Sequence, residues 1–155
     1  MSQAEGTGGT ASLRLDRHIV FRAGGERFAV PLGAVREVVL PRPPFARVPR
    51  AAPGVRGVMN LHGRVVAVVE LAPLLGLPAD VLGPAQGHVL VLDEGRRGLG
   101  LLVSAVLGVD ALAPAAAPRP PGSLARGVAE LRGAAITLLD AGALEEAAVA
   151  LFRSP

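Results

Sequence analysis

The sequence predicts a mostly β fold, two small barrels packed together with a short C-terminal helix, and three observations predict it. Twenty glycines and 14 prolines in 155 residues cut the apolar sequence into short pieces, which suits short strands and frequent turns over long helices. Strand-like runs recur with a turn about every ten residues, giving roughly nine or ten strands. Several of these runs, Val65–Val69 and Val89–Leu92 among them, are apolar at every position, so both of their faces must be covered. A chain of this length buries roughly 70% of its unfolded surface and forms one domain with a real core.

Taken in order, "MSQAEGTGGTASLR" (1–14) lacks a basic region and an apolar region of the kind a signal peptide has, and predicts a flexible tail. "RHIVFRAGGERFAVPL" predicts a hairpin turning at Ala23-Gly24-Gly25-Glu26, where glycine supplies the positive φ. "VREVVL" (35–40) is the next strand, stopped by Pro41. Proline then imposes a loop from Pro41 to Gly54. "GVMNLHGRVVAVVEL" predicts a strand over 57–61, a turn, and a strand over 64–71. "LAPLLGLP" makes one helical turn ending at Gly76-Leu77-Pro78. "GHVLVLDEGRRGLGLLVSAV" repeats the hairpin pattern with its turn at Asp93-Glu94-Gly95. Residues 111–123 predict an extended connector. "GVAELRGAAITLLD" is a last hairpin turning near Leu131-Arg132-Gly133, and the alanine-rich "AGALEEAAVALF" is helical.

Composition narrows the function. The formal charge is +3, and the pI of 11.2 is inflated because the chain has no lysine, tyrosine or cysteine to titrate between histidine and arginine. Zero cysteine excludes disulfides and thiolate metal sites and fits a reducing cytoplasm. The longest apolar stretch, Val65 to Leu77, contains Glu70 and falls short of the ~20 residues that span a bilayer, so no membrane insertion is expected.

A Walker-type phosphate loop is impossible without lysine, and Gly98-Leu99-Gly100 lacks the third glycine of a dinucleotide fingerprint; in a strand it marks close backbone approach. His18, His62 and His88 have no metal-ligand spacing, and the five serines include no nucleophile elbow. Asp93-Glu94 reads as a turn and Glu145-Glu146 as a helix flank, so no carboxylate pair is set for acid–base work. Neither an enzyme nor a cofactor or metal is expected. Arg36, Arg42, Arg47, Arg50, Arg56 and Arg64 do cluster, with Glu37 the one acid among them. A nucleic-acid-binding β-barrel using this Arg36–Arg64 run is the rival reading, but the segment's one aromatic is Phe45 and stacking platforms are missing. A solvated loop face suited to acidic protein partners is the plainer account.

Beyond these readings "GVMNLHGRVVAVVEL", together with "FRAGGERFAVPLGAVREVV", "VPRAAPGVRGV", "RGLGLLVSAVLGV" and "ITLLDAGAL", resembles the motifs of a known family, that of CheW-like domains. "GVMNLHGRVVAVVEL" resembles the family's Gly-Val-x-Asn-Leu-Arg-Gly, apolar strand, Asp-Leu pattern. "FRAGGERFAVPLGAVREVV" resembles its opening hairpin, "VPRAAPGVRGV" its Pro-x-x-Pro approach, "RGLGLLVSAVLGV" its Gly-Leu-x-Val-Asp-x-Val, and "ITLLDAGAL" its closing strand and helix. The similarity is collinear over about residues 16–152.

The resemblance implies two interlocked five-stranded Src-homology-like barrels over residues 15–153. It also implies a cytoplasmic, free-standing bacterial chemotaxis adaptor that couples methyl-accepting chemoreceptors to the histidine kinase CheA. Its expected partners are the kinase's regulatory domain, receptor signalling tips and other CheW-like proteins, with no nucleic acid. The receptor groove it implies comprises Val35, Glu37, Val38, Asn60, His62, Gly63, Val65, Gly100, Val103, Ser104 and Val106.

Three positions depart from the pattern. His62 stands where the family has arginine, Ser104 where it usually has aspartate, and Glu70 where it usually has aspartate. The first two remove a cation and an anion together, which fits a lost polar contact, a compensated one, or a divergent adaptor serving another receptor set; a further reading pairs the missing arginine with the missing aspartate.

Overall fold

The computed structural model describes residues 16–93, 98–113 and 123–152. These form β1 (Asp16–Ala23), β2 (Glu26–Pro31), β3 (Val35–Val39), β4 (Val55–Leu61), β5 (Arg64–Glu70), a one-turn helix α1 (Leu71–Leu74), β6 (His88–Leu92), β7 (Leu99–Val103), β8 (Ala105–Leu112), β9 (Ala125–Leu131), β10 (Ala134–Leu139) and helix α2 (Ala141–Ala150). The strands make two five-stranded sheets, ordered β8-β1-β2-β10-β9 and β3-β6-β7-β5-β4, called barrel 1 and barrel 2 below. The chain starts in barrel 1, completes barrel 2 with five consecutive strands, and returns to finish barrel 1, so the halves are threaded through each other.

The expected tail over 1–14, the Glu94-Gly95 part of the third turn and most of the expected connector lie outside the described residues. At its start the connector is corrected: Ala111 and Leu112 belong to β8 and pair with Arg17 and Asp16 of β1. Leu112 has a place in the core of barrel 1, and that burial outweighs the alanine- and proline-rich composition that follows it. The other hairpins turn where the glycines predict, with Gly24 and Gly25, Gly63 and Gly133 all at positive φ.

Three apolar clusters explain why so many strands are apolar on both faces. Val20, Ala29, Ile136 and Leu138 fill barrel 1. Met59, Val66, Val68, Val89 and Val91 fill barrel 2. Between the barrels lies a larger shared cluster, where Phe21, Phe28 and Val30 of barrel 1 meet Leu90, Leu92 and Leu101 of barrel 2, with Leu144 and Ala148 of α2. Strand β6 shows the logic residue by residue, since Val89 and Val91 point into the barrel while Leu90 and Leu92 point into the shared cluster. One residue of the apolar runs escapes this rule: Val65 is 67% exposed. The expectation for Glu145 is corrected in the opposite sense, because α2 tucks Leu144 and Ala148 into the shared cluster and carries Glu145 to 5% exposure with them. No helix among the described residues is long and apolar enough to cross a membrane.

The barrels are copies of one plan. "GVMNLHG" (57–63) and "GVAELRG" (127–133) are 70 positions apart, and the same offset relates Glu70 to Asp140 just before each helix. Strand registers agree as well: Val58 faces Ala67 in β5 and Val128 faces Thr137 in β10. In each barrel the second strand of this hairpin also runs parallel to a neighbour, β5 beside β7 and β10 beside β2.

Candidate functional site

The His62-Gly63 turn that joins β4 to β5 has φ of 51° and 79° at its two central residues, the left-handed pair of a type I′ hairpin. A Cβ on Gly63 would meet nothing within 4 Å, so glycine is required there for its φ and not for space. Histidine is among the few side chains enriched in this region, though it is less at ease there than glycine. Asn60 stabilises the turn by accepting a hydrogen bond from the Gly63 N–H through Oδ1 at 3.1 Å.

This turn carries His62 across to the opposite edge of barrel 2. Its Nε2 lies 3.9 Å from Oε2 of Glu37 on β3, an ion pair whenever the imidazole is protonated. The side chains are 65% and 36% exposed. Beside them, Arg36 Nε lies 3.7 Å from Asp93 Oδ1 at the end of β6. These groups and Arg64 rim a cleft of about 230 Å³ whose floor is apolar, built from Leu61, Val65, Val66, Val91 and Leu92. An apolar floor with a rim of both signs suits a protein segment that buries apolar side chains and leaves its polar ones at the edge.

The expected groove residues do not share one surface. Glu37, His62 and Val65 line the cleft, and Asn60 and Gly63 shape the turn that forms it. Val35 and Val106 are half-buried and pack against the shared inter-barrel cluster, at the start of β3 and of β8. Ser104 sits at the β7–β8 junction, where its N–H and its Oγ both donate to the carbonyl of Arg22 at 3.0 and 2.8 Å. Gly100 and Val103 are buried and present nothing to a partner. A Cβ on Gly100 would lie 2.5 Å from Val89 Cγ1, so this glycine lets β6 and β7 close over the core. Val38 is 37% exposed and alternates with Glu37 along β3, which turns it to the other face.

The idea that the His62 and Ser104 departures form one lost pair is not upheld by this geometry. The acid facing His62 is Glu37, and Ser104 is engaged with the Arg22 backbone and is not among the cleft residues.

Sequence reasoning missed two features. Arg36 and Arg64 belong to the cleft rim, and they were hidden in a run read as one basic face. Arg56, in the same run, is turned inward: it pairs with Glu70 at 3.6 Å, donates to the carbonyls of Leu82 and Gly83, and lies over the Phe45 ring. It thereby fastens the two long loops of barrel 2 to β4. The signal that was available is the internal repeat, which marks the two hairpin tips as equivalent and so invites a search for the group each one meets.

Among the described residues no cluster of three or more His, Asp or Glu is placed to hold a metal ion.

A family model described as CheW-like domain matches residues 17–148. The probable chemotaxis protein CheW of Rhizobium etli is 39% identical over 59% of this chain and 58% of its own length. The chemotaxis protein CheW of Rhizobium meliloti is 34% identical over 79% of this chain and 82% of its own. The aligned region thus spans somewhat over half of the first relative and most of the second. In fold, the chain resembles the crystal structure of the scaffolding protein TtCheW from Thermoanaerobacter tengcongensis, with a TM-score of 0.68, 20% identity, and coverage of 81% of this chain and 89% of that one. With a family model over most of its length and a relative matched over 82% of that relative's own length, the chain belongs to the CheW-like domain family.

Proposed function

We propose that this protein is a chemosensory adaptor that couples chemoreceptor signalling tips to the regulatory domain of the histidine kinase CheA, acting in the cytoplasm as one unit over residues 15–153. Membership in the CheW-like family supports the class of function. The single observation that carries the site is the cleft between β3 and the β4–β5 turn, with its apolar floor and its Glu37, His62 and Arg64 rim. A receptor helix seated there would bury apolar residues on Leu61, Val65 and Val91 and set its polar residues against the rim. The seam near Val35, Ser104 and Val106 extends the same contact toward barrel 1. Other surfaces of the barrels are left for the kinase domain and for other CheW-like proteins.

No catalytic role is proposed for any residue. The nucleic-acid alternative is weakened by the arginines themselves, because Arg36 is paired with Asp93 and Arg56 is engaged within the fold.

Co-sedimentation of the purified chain with a receptor signalling fragment and the kinase regulatory domain tests the reading. The expected result is a ternary complex, with either partner also bound in the absence of the other. Failure to bind both cognate partners would overturn it. Affinity for a DNA or RNA oligonucleotide that falls steeply with salt would favour the nucleic-acid reading instead.

A further inference from the structure

The tip of each barrel's equivalent hairpin reaches an acid on the strand that closes the barrel. In barrel 1, Arg132 Nη2 lies 3.7 Å from Asp110 Oδ1 on β8. In barrel 2, His62 Nε2 lies 3.9 Å from Glu37 Oε2 on β3. Both β8 and β3 are terminal strands of their sheets, as are β9 and β4 where the hairpins begin, so each pair spans the opening between a sheet's two edges. The tips also share their backbone, with φ of 50° and 81° at Arg132 and Gly133 against 51° and 79° at His62 and Gly63. What differs is the cation, which is permanent in one barrel and conditional in the other.

We propose that the Glu37–His62 pair is a pH-sensitive brace across the mouth of barrel 2, drawn closed while the imidazole is protonated and released when it is neutral. Histidine is the side chain whose ordinary titration falls between pH 5 and 8. A neutral imidazole at 3.9 Å is too far from the carboxylate for a hydrogen bond, so without the proton little holds the two edges together at this point.

Among the described residues, other charges also face the cleft. From β3 there is Arg36, engaged with Asp93 from the end of β6, and from β5 there is Arg64; Gly98, leading into β7, brings none. Arg64 adds a fixed positive charge to the rim, so Glu37 is the group that makes the cation welcome beside it. The turn is also held locally, through Asn60 Oδ1 and the Gly63 N–H, so loss of the brace loosens the tip without unfolding it.

The sign follows from the two charges. Attraction needs both, so it is present where the imidazole is protonated and the carboxylate ionised, and it is lost as pH rises through the histidine range.

The test uses the whole chain and its internal control, and it does not depend on the adaptor role. Amide exchange at Leu61–Arg64, corrected for intrinsic rates, is followed at pH 6 and pH 8 against exchange at Leu131–Ala134. Protection of the first tip should fall about 1.5- to fivefold on going to pH 8 while the second stays level, the span expected for an exposed pair. His62→Arg should abolish the fall and keep the protection. Glu37→Gln should lose the fall and the protection together. Arg132→His should confer the same fall on barrel 1. A flat profile in the unmodified protein overturns the proposal, as does a fall that survives Glu37→Gln. Melting curves at pH 6 check that each variant is folded, which the exposure of these side chains favours.

Discussion

Barrel 1 and barrel 2 solve the same folding problem with the same hairpin and then treat its edges differently. At Val58 of β4, the N–H and carbonyl are both bonded to Ala46, at 2.8 Å each, so the Pro41–Gly54 loop caps that edge. Its counterpart Val128 on β9 is 49% exposed and shows no such bridge among the described residues. Arg56 is drawn into an ion pair, two carbonyls and a ring, whereas its counterpart Arg126 is exposed. The elaboration is thus concentrated on barrel 2, the barrel that carries the cleft. A duplicated frame tolerates this because the backbone of the hairpin is set by glycine and by register, leaving the outward side chains free to diverge.

The comparison is broken most severely by attacking what the barrels share. Phe21 is fully buried in the shared cluster and stacks on Phe28, its cross-strand neighbour, with ring centroids 6.2 Å apart. Phe21→Ala should destabilise the protein by about 3–5 kcal/mol. Because the cluster belongs to both barrels, loss should occur in one cooperative transition, read identically by probes in each half during urea unfolding. Two separated transitions would show that the barrels fold independently.

Next in size is the asymmetry between the equivalent arginines. Arg56 and Glu70 are each only 22% exposed, so Arg56→Ala strands a partly buried carboxylate and two carbonyls as well as removing the cation. A loss of about 1–3 kcal/mol is expected. Arg126→Ala, at the exposed counterpart, should stay within about 0.5 kcal/mol. Equal effects in thermal melts would erase the distinction.

The turns themselves should behave alike. Gly63→Ala and Gly133→Ala each force a Cβ into φ near +80°, with open space around it, so each should destabilise by about 1 kcal/mol through backbone strain alone. A larger loss at Gly63 in melting experiments would mean that the turn is held by more than its dihedral angles.

Much of this architecture was legible because strands and turns leave local marks. The Gly24-Gly25, His62-Gly63 and Arg132-Gly133 turns are visible as residues that tolerate positive φ between apolar runs. The need for two covered faces is visible in β5 and β6. Strand β8 was harder, since its outward face carries Leu107, Val109 and Ala111 and its end runs into alanine and proline without a turn residue. The cleft was half legible. Family-like residues pointed to Glu37, His62 and Val65, but membership of Gly100 and Val103 in the core depends on how β7 is enclosed by β5 and β6, a fact of topology that no local pattern encodes. The fate of each arginine was equally invisible, because whether a cation is exposed or fastened depends on loops that are distant in sequence, as Leu82 is from Arg56.

The smallest structural perturbation should have the largest functional consequence. Val35 and Val106 are poor probes of the cleft, because both pack on the shared cluster and a carboxylate there would disturb the core before it disturbed a partner. Val65 is a clean probe. It is 67% exposed, lines the cleft, and sits on β5 where its counterpart on β10 is the exposed Ala135. Val65→Asp should change the unfolding free energy by no more than about 0.5 kcal/mol, as expected for a surface substitution. Yet under the proposed function it places a charge where an apolar receptor side chain must be buried, and an unpaired buried charge costs several kcal/mol, enough to reduce receptor affinity by at least tenfold. Ala135→Asp introduces the same charge at the equivalent place in barrel 1 and should leave receptor binding unchanged. Titrating a receptor signalling fragment against both variants gives the answer directly. Equal losses would make the effect one of net charge, and an unchanged Val65→Asp would remove the cleft between β3 and the β4–β5 turn from the receptor contact.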